Sequence, residues 1–134
     1  MHKPTLIKGA SFSLFAVIFG AFGAHALKSV LTVDQLESFN TAVRYLMFNG
    51  LALLVLGVLM EKMQHSWIKI SGQLLFLGTL LFSGSIMLLV CRKLFDMEFL
   101  KVLGPITPLG GTILIAGWIL FIVAILKEKK YDKR

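Results

Sequence analysis

"ISGQLLFLGTLLFSGSIMLLV", residues 70–90, runs for 21 positions without a Lys, Arg, Asp or Glu. A helix rises about 1.5 Å per residue, so this stretch reaches roughly 30 Å, the thickness of a bilayer's hydrocarbon core. A helix on the surface of a soluble domain would carry a charged face at this length, and none is present. The stretch reads as a membrane span.

Three more stretches have the same character, over about residues 9–27, 43–60 and 108–126, and the short segments between them hold nearly all the charge. The composition agrees: 57% of the 134 residues are hydrophobic and 16% charged, with a mean hydropathy of +0.83. A soluble domain of this length is closer to half apolar and a quarter charged. The fold expected is all-α, a compact bundle of four transmembrane helices forming one domain over residues 1–134, with a basic tail over 127–134. No length is left for a soluble catalytic domain.

The net charge of +7 does not point to nucleic acid, because the basic residues flank the apolar runs instead of clustering with aromatics on one face. Nine Lys and Arg fall on the side of the N-terminus, second loop and tail, against five on the other side with Arg44 included. The positive-inside rule then puts both termini in the cytoplasm, a count that the five charges of the tail decide. The N-terminus has a competing reading as a signal peptide, with "MHKPTLIK" as basic region and "AHA" at 24–26 as cleavage site. The apolar run between them exceeds the usual 7 to 15 residues, which favours a retained span.

In the first loop, Thr32 and Gln35 have capping-box spacing, Asp34 falls where the helix dipole favours an anion, and Leu36, Phe39 and Val43 share a face. A helix is expected to begin near Val33, amphipathic over 33–42, and to run on into the second span. The third loop mixes apolar and charged residues over too short a length to cross, which suits the membrane surface. Thr107 and Pro108 read as N-cap and first position of the last span.

Small residues recur every seven positions: Gly9, Ala16 and Gly23; Gly50 and Gly57; Ser71, Gly78 and Ser85; Gly110, Gly117 and Ala124. Lipid offers no hydrophobic drive for helices to associate, so close backbone approach at small residues supplies the packing. Gly23, Gly50, Gly57, Gly78, Gly110 and Gly117 are therefore the expected helix-packing positions, in left-handed crossings. A second stripe, Phe12, Phe15, Phe19 and Phe22, reads as lipid contact or bundle packing. Trp118 falls near mid-membrane, away from the interfacial belt, so its N–H needs a partner inside the bundle.

The polar residues of the spans gather at one end. His25 sits near the end of the first apolar run in "GAFGAHAL", residues 20–27; Arg44, Tyr45 and Asn49 belong to the second, Ser83 and Ser85 to the third, and Thr107 to the start of the fourth. All of them share a side whichever way the protein is inserted, which makes His25, Arg44, Tyr45, Asn49, Ser83, Ser85 and Thr107 the candidate ligand site. Ionisable groups within spans face an interior or a cavity, and imidazole donates, accepts and titrates near neutrality. The opposing reading keeps these groups structural: His25 ties two helices, Arg44 snorkels, Tyr45 belongs to the aromatic belt and the serines bond their own helix.

No catalytic constellation is visible: the spans hold no Asp or Glu, and no nucleophile has an evident base. His2 and His65 flank the spans and Cys91 is the single cysteine, so neither a metal site, a cofactor nor an internal disulfide is expected. The reading is a non-enzymatic integral membrane protein that binds a lipid, a small molecule or a partner helix, its partners being membrane lipids and either copies of itself or another membrane protein. The alternative is a small oligomeric transporter or permeation unit.

"GAFGAHAL", "FNTAVRYLMFN", "FSGSI" and "GPITPLGGTILIAGW", in this order and spacing, resemble the family that includes the YgdD-like bacterial inner-membrane proteins and the vertebrate transmembrane protein 256. The similarity runs from about Gly9 to Ile125. It implies a small four-span membrane protein with no established biochemical activity. His25, Arg44, Tyr45, Ser83, Ser85, Thr107, Gly110, Gly117 and Trp118 fall on matching positions. Relatives commonly carry His where this chain has Asn49 and Tyr where it has Met87, so a mechanism built on a histidine pair would not operate here.

Overall fold

The computed structural model describes residues 1–63 and 65–128. Of the basic tail expected over 127–134, residues 129–134 lie outside the described residues. The protein is all-helical: α1 (Lys3–Ala24), α2 (Val33–Leu59), α3 (Ser66–Cys91) and α4 (Ile106–Lys127) are joined by short turns and by a 3₁₀ helix (Glu98–Leu103) before α4. Four helices are long and apolar enough to cross a membrane.

Local chemistry sets the ends. Pro4 sits in the first turn of α1, where a missing N–H costs nothing, and the helix starts six residues ahead of the apolar run. It also stops early, at Ala24, because the chain must turn for Leu31 to pack with Phe39 and Val90. His25 consequently becomes the C-cap of α1. At α2 both capping-box bonds form, Gln35 N–H to Thr32 Oγ1 and Thr32 N–H to Gln35 Oε1. One uninterrupted helix of 27 residues follows, about 40 Å long, and its first turns project past the end of α1.

The last span differs in detail from its expected start. Pro105 is the N-cap and α4 begins at Ile106, so Thr107 lies inside the first turn. Its hydroxyl is engaged by Ser85 across the interface instead of capping its own helix.

Consecutive helices pack as antiparallel pairs, α1 on α2 and α3 on α4, with α2 against α3 between them. Diagonal contacts complete the bundle: Phe12 of α1 stacks on Phe76 of α3 at 5.2 Å, and Trp118 of α4 bonds Asn49 of α2. Leu53, Leu56, Ile68 and Leu75, all wholly buried, form its centre. The small residues spaced by seven are buried without exception. A Cβ on Gly9 would stand 2.7 Å from the Gly50 carbonyl oxygen, and one on Gly110 would overlap the backbone of Phe82, so these backbones touch directly. Close approach also lets a serine reach a neighbouring helix: Ser71 Oγ donates to the Gly117 carbonyl at 2.8 Å.

The phenylalanine stripe divides. Phe12 is buried, Phe15 and Phe22 are exposed, and Phe15 stacks on Phe19.

Candidate functional site

The polar residues singled out in the spans do not form one cluster. The side chain of His25 is exposed and hydrogen-bonds no described residue, since it sits on the end of α1 instead of within it. Arg44 is exposed on α2. Tyr45 lies half exposed with its ring edge-on to Phe82, centroids 5.0 Å apart.

The other four residues tie helices together. Ser83 Oγ donates to the Ala42 carbonyl at 2.8 Å, fastening α3 to α2. Ser85 Oγ lies 2.6 Å from Thr107 Oγ1 and 3.0 Å from the Phe82 carbonyl, fastening α3 to α4. Asn49, 1% exposed, accepts at Oδ1 from Trp118 Nε1 at 3.2 Å. Indole only donates, so the amide oxygen must face it and the amide nitrogen points elsewhere. That nitrogen has no partner among the described residues. Trp118 thus finds the partner it needs, while its ring, 41% exposed, lies on the outside of the bundle instead of within it.

The cavity that accompanies these bonds is at the end of the bundle opposite the termini. It measures about 760 Å³ and is bounded by Asp34, Gln35, Ser38 and Thr41 on α2, by Ile86, Leu89, Val90, Arg92 and Lys93 at the end of α3, and by Lys101, Gly104 and Thr107 leading into α4. Of the residues anticipated as a site, Thr107 alone lines it, with Ser85 bonded behind.

Local folding accounts for this opening. Beyond Cys91 the chain closes α3 with a bond from the Met97 N–H to the Arg92 carbonyl, which requires Asp96 in the left-handed region at φ 53°. That turn holds Arg92 and Lys93 at the helix end, where cations complement the dipole, and sends the chain back through the 3₁₀ helix carrying Lys101. Isoleucine, leucine and valine make an apolar floor beneath a polar rim of net positive charge. Arg92 Nε is buried and has no acceptor among the described residues.

A second, apolar groove of about 430 Å³ runs between Tyr45, Phe82 and the face of α4 bearing Ile115, Trp118 and Ile119. Among the described residues no three of His, Cys, Asp or Glu come together as metal ligands would.

Reading single spans overlooked Arg92, Lys93 and Lys101, which counted only as flanking charges. The signal available was their position, on the same side of the membrane as the polar residues of the spans.

A family model described as a protein of unknown function, DUF423, matches residues 19–111. The UPF0382 membrane protein of Staphylococcus aureus strain RF122 is 40% identical over 127 residues, covering 93% of this chain and 97% of its own length. YwdK of Bacillus subtilis, likewise a UPF0382 membrane protein, is 38% identical over 126 residues, covering 93% and 98%. No solved structure matches the chain. With four apolar helices of spanning length and relatives of this closeness along nearly its whole sequence, the chain belongs to this family of small integral membrane proteins of unknown function, as the resemblance of its motifs implied.

Proposed function

We propose that this protein is a non-enzymatic membrane component that binds an amphiphilic molecule in the cavity between α2, α3 and the start of α4. The observation that carries the reading is the pairing of a polar rim with an apolar floor at the end of the spans. Its volume falls within the range of small-molecule sites, roughly 300 to 1,000 Å³. A membrane lipid is the partner this reading names. The bonds at Ser83, Ser85 and Asn49 hold the helices that shape the cavity, and His25 and Arg44 stay outside it.

The excess of Lys and Arg on the side of the termini supports a bacterial inner-membrane protein with both termini cytoplasmic and the cavity facing the opposite leaflet. Alkaline phosphatase fused after Lys28 should then be active and the same enzyme fused at the C-terminus inactive. The reverse pattern inverts the orientation.

Native mass spectrometry of protein released from lipid nanodiscs tests the binding itself. Gly104 has a helical φ and a Cβ there would meet only the Lys101 carbonyl oxygen at 3.4 Å, so Gly104→Trp fills the rim without disturbing a helix interface. The wild type should retain a discrete lipid mass that Gly104→Trp loses. Retention equal in the two proteins, or absent from both, overturns the reading.

A further inference from the structure

We infer that the molecule bound in this cavity carries a phosphoryl anion at its head: an anionic phospholipid seated with its phosphate between Arg92, Lys93 and Lys101. The inference rests on the amphiphile reading above and adds the chemistry of the head.

Charge is the first observation. The three cations share the cavity with a single carboxylate, Asp34, and among the described residues the ion pair formed is at the far end of the molecule, between Met1 and Glu61. The rim therefore carries a net positive charge. It also lies at the end of the spanning helices, opposite the termini.

Unmet hydrogen bonding is the second. Arg92 Nε is buried without an acceptor, and a guanidinium is a rigid fork of donors that matches a phosphate oxygen pair. Ser38 adds a hydroxyl from α2 that bonds no described residue. Thr107 shares a proton with Ser85 at 2.6 Å. Because Ser85 also reaches the Phe82 carbonyl, a rotation of the Ser85 hydroxyl toward Thr107 frees the threonine proton for a ligand.

The floor is the third. Ile86, Leu89 and Val90 offer nothing to a free phosphate ion, whereas they suit the first carbons of an acyl chain. The source favoured is thus a lipid headgroup.

The experiment uses the full chain in nanodiscs of phosphatidylcholine mixed with phosphatidylglycerol, read by native mass spectrometry, with a parallel arm in phosphatidylcholine alone plus inorganic phosphate. The wild type should retain phosphatidylglycerol about tenfold over its share of the bilayer, and Arg92→Gln should lower that preference roughly tenfold. Lys101→Gln, on the exposed 3₁₀ helix, provides a variant whose folding is not at issue and should lower it severalfold. Retention of both lipids in proportion to the bilayer, with both lost in Gly104→Trp, overturns the anionic head and leaves the amphiphile reading standing. No retained lipid in any protein overturns both. A phosphate adduct in the second arm that Arg92→Gln abolishes, without lipid preference in the first, keeps the phosphoryl chemistry and overturns the lipid source.

Discussion

Trp118 Nε1 on α4 donates to Asn49 Oδ1 on α2 across 3.2 Å, a bond between residues 69 positions apart that fixes the relative height of two helices. Hydrogen bonds between helices inside a bilayer are worth about 0.6 kcal/mol on average and up to about 2. Trp118→Phe should lower stability in detergent by roughly 1 kcal/mol, and Asn49→Leu by a similar amount. The double variant should recover part of the loss, because no indole N–H is left unpaired against an apolar neighbour. Asn49→His keeps an acceptor and should leave the Trp118 fluorescence maximum close to that of the wild type. A cycle in steady-state unfolding with no coupling between the two sites would refute the pair's role.

The glycines of α3 and α4 divide into three grades. At Gly110 an added Cβ meets the backbone of Phe82, which cannot move aside, and Gly110→Ala should separate α3 from α4 and cost several kcal/mol, as overpacking does at its most severe. At Gly117 it would lie 3.0 Å from Leu75 Cδ2 and 3.2 Å from Leu74 Cβ, so Gly117→Leu should displace α4 and break the bond from Ser71. Gly84 has nothing within 4 Å, and Gly84→Ala should be neutral or stabilise by up to about 1 kcal/mol through helix propensity. Melting in detergent that ranked these three differently would contradict the packing.

The turn at Asp96 stores strain, because a side chain in the left-handed region costs on the order of 1 kcal/mol that glycine does not incur. Asp96→Gly should raise the midpoint of thermal unfolding by a few degrees, and Asp96→Val should lower it. Lipid retention in the cavity should survive the first change and fall with the second, since the same turn positions Arg92 and Lys93.

Beyond the end of α2, the Met1 ammonium sits 2.6 Å from Glu61 Oε2, and this hydrogen bond and charge hold the Glu61 carboxyl below the ordinary carboxylate range. A lowered folded value means the contact contributes above the ordinary pKa of 4.5 and is lost as pH falls through the lowered one. Amide protection in the first turn of α1, measured relative to the intrinsic exchange rate at each pH, should fall on acidification below that range. Glu61→Gln should raise the exchange at neutral pH and abolish the acid step; an unchanged acid step in Glu61→Gln would remove the pair as its cause.

Helix contacts were more legible in this sequence than helix ends. The spacing of Gly9, Ala16 and Gly23, or of Gly110, Gly117 and Ala124, marks contact faces because lipid leaves backbone approach as the main source of association. The start of α1 was not marked, since Lys3 lies outside any apolar run, and that of α4 was marked two residues late, at Thr107 and Pro108 instead of Pro105 and Ile106.

The candidate site shows the division most clearly. Sequence alone determined that Ser83, Ser85, Asn49 and Thr107 sit on apolar helices where a polar atom must find a partner, and that the charges lie at span ends. Which partner each found was decided by register between helices: Ser83 with Ala42, Ser85 with Thr107, Asn49 with Trp118. Register depends on how side chains of four helices fill one another's gaps, a property of pairs far apart in the chain. The same register, with the turn at Asp96, brought Arg92, Lys93 and Lys101 around one cavity and left His25 outside it. Lipid as the solvent is written into the composition; the cavity exists only once the helices have chosen their heights.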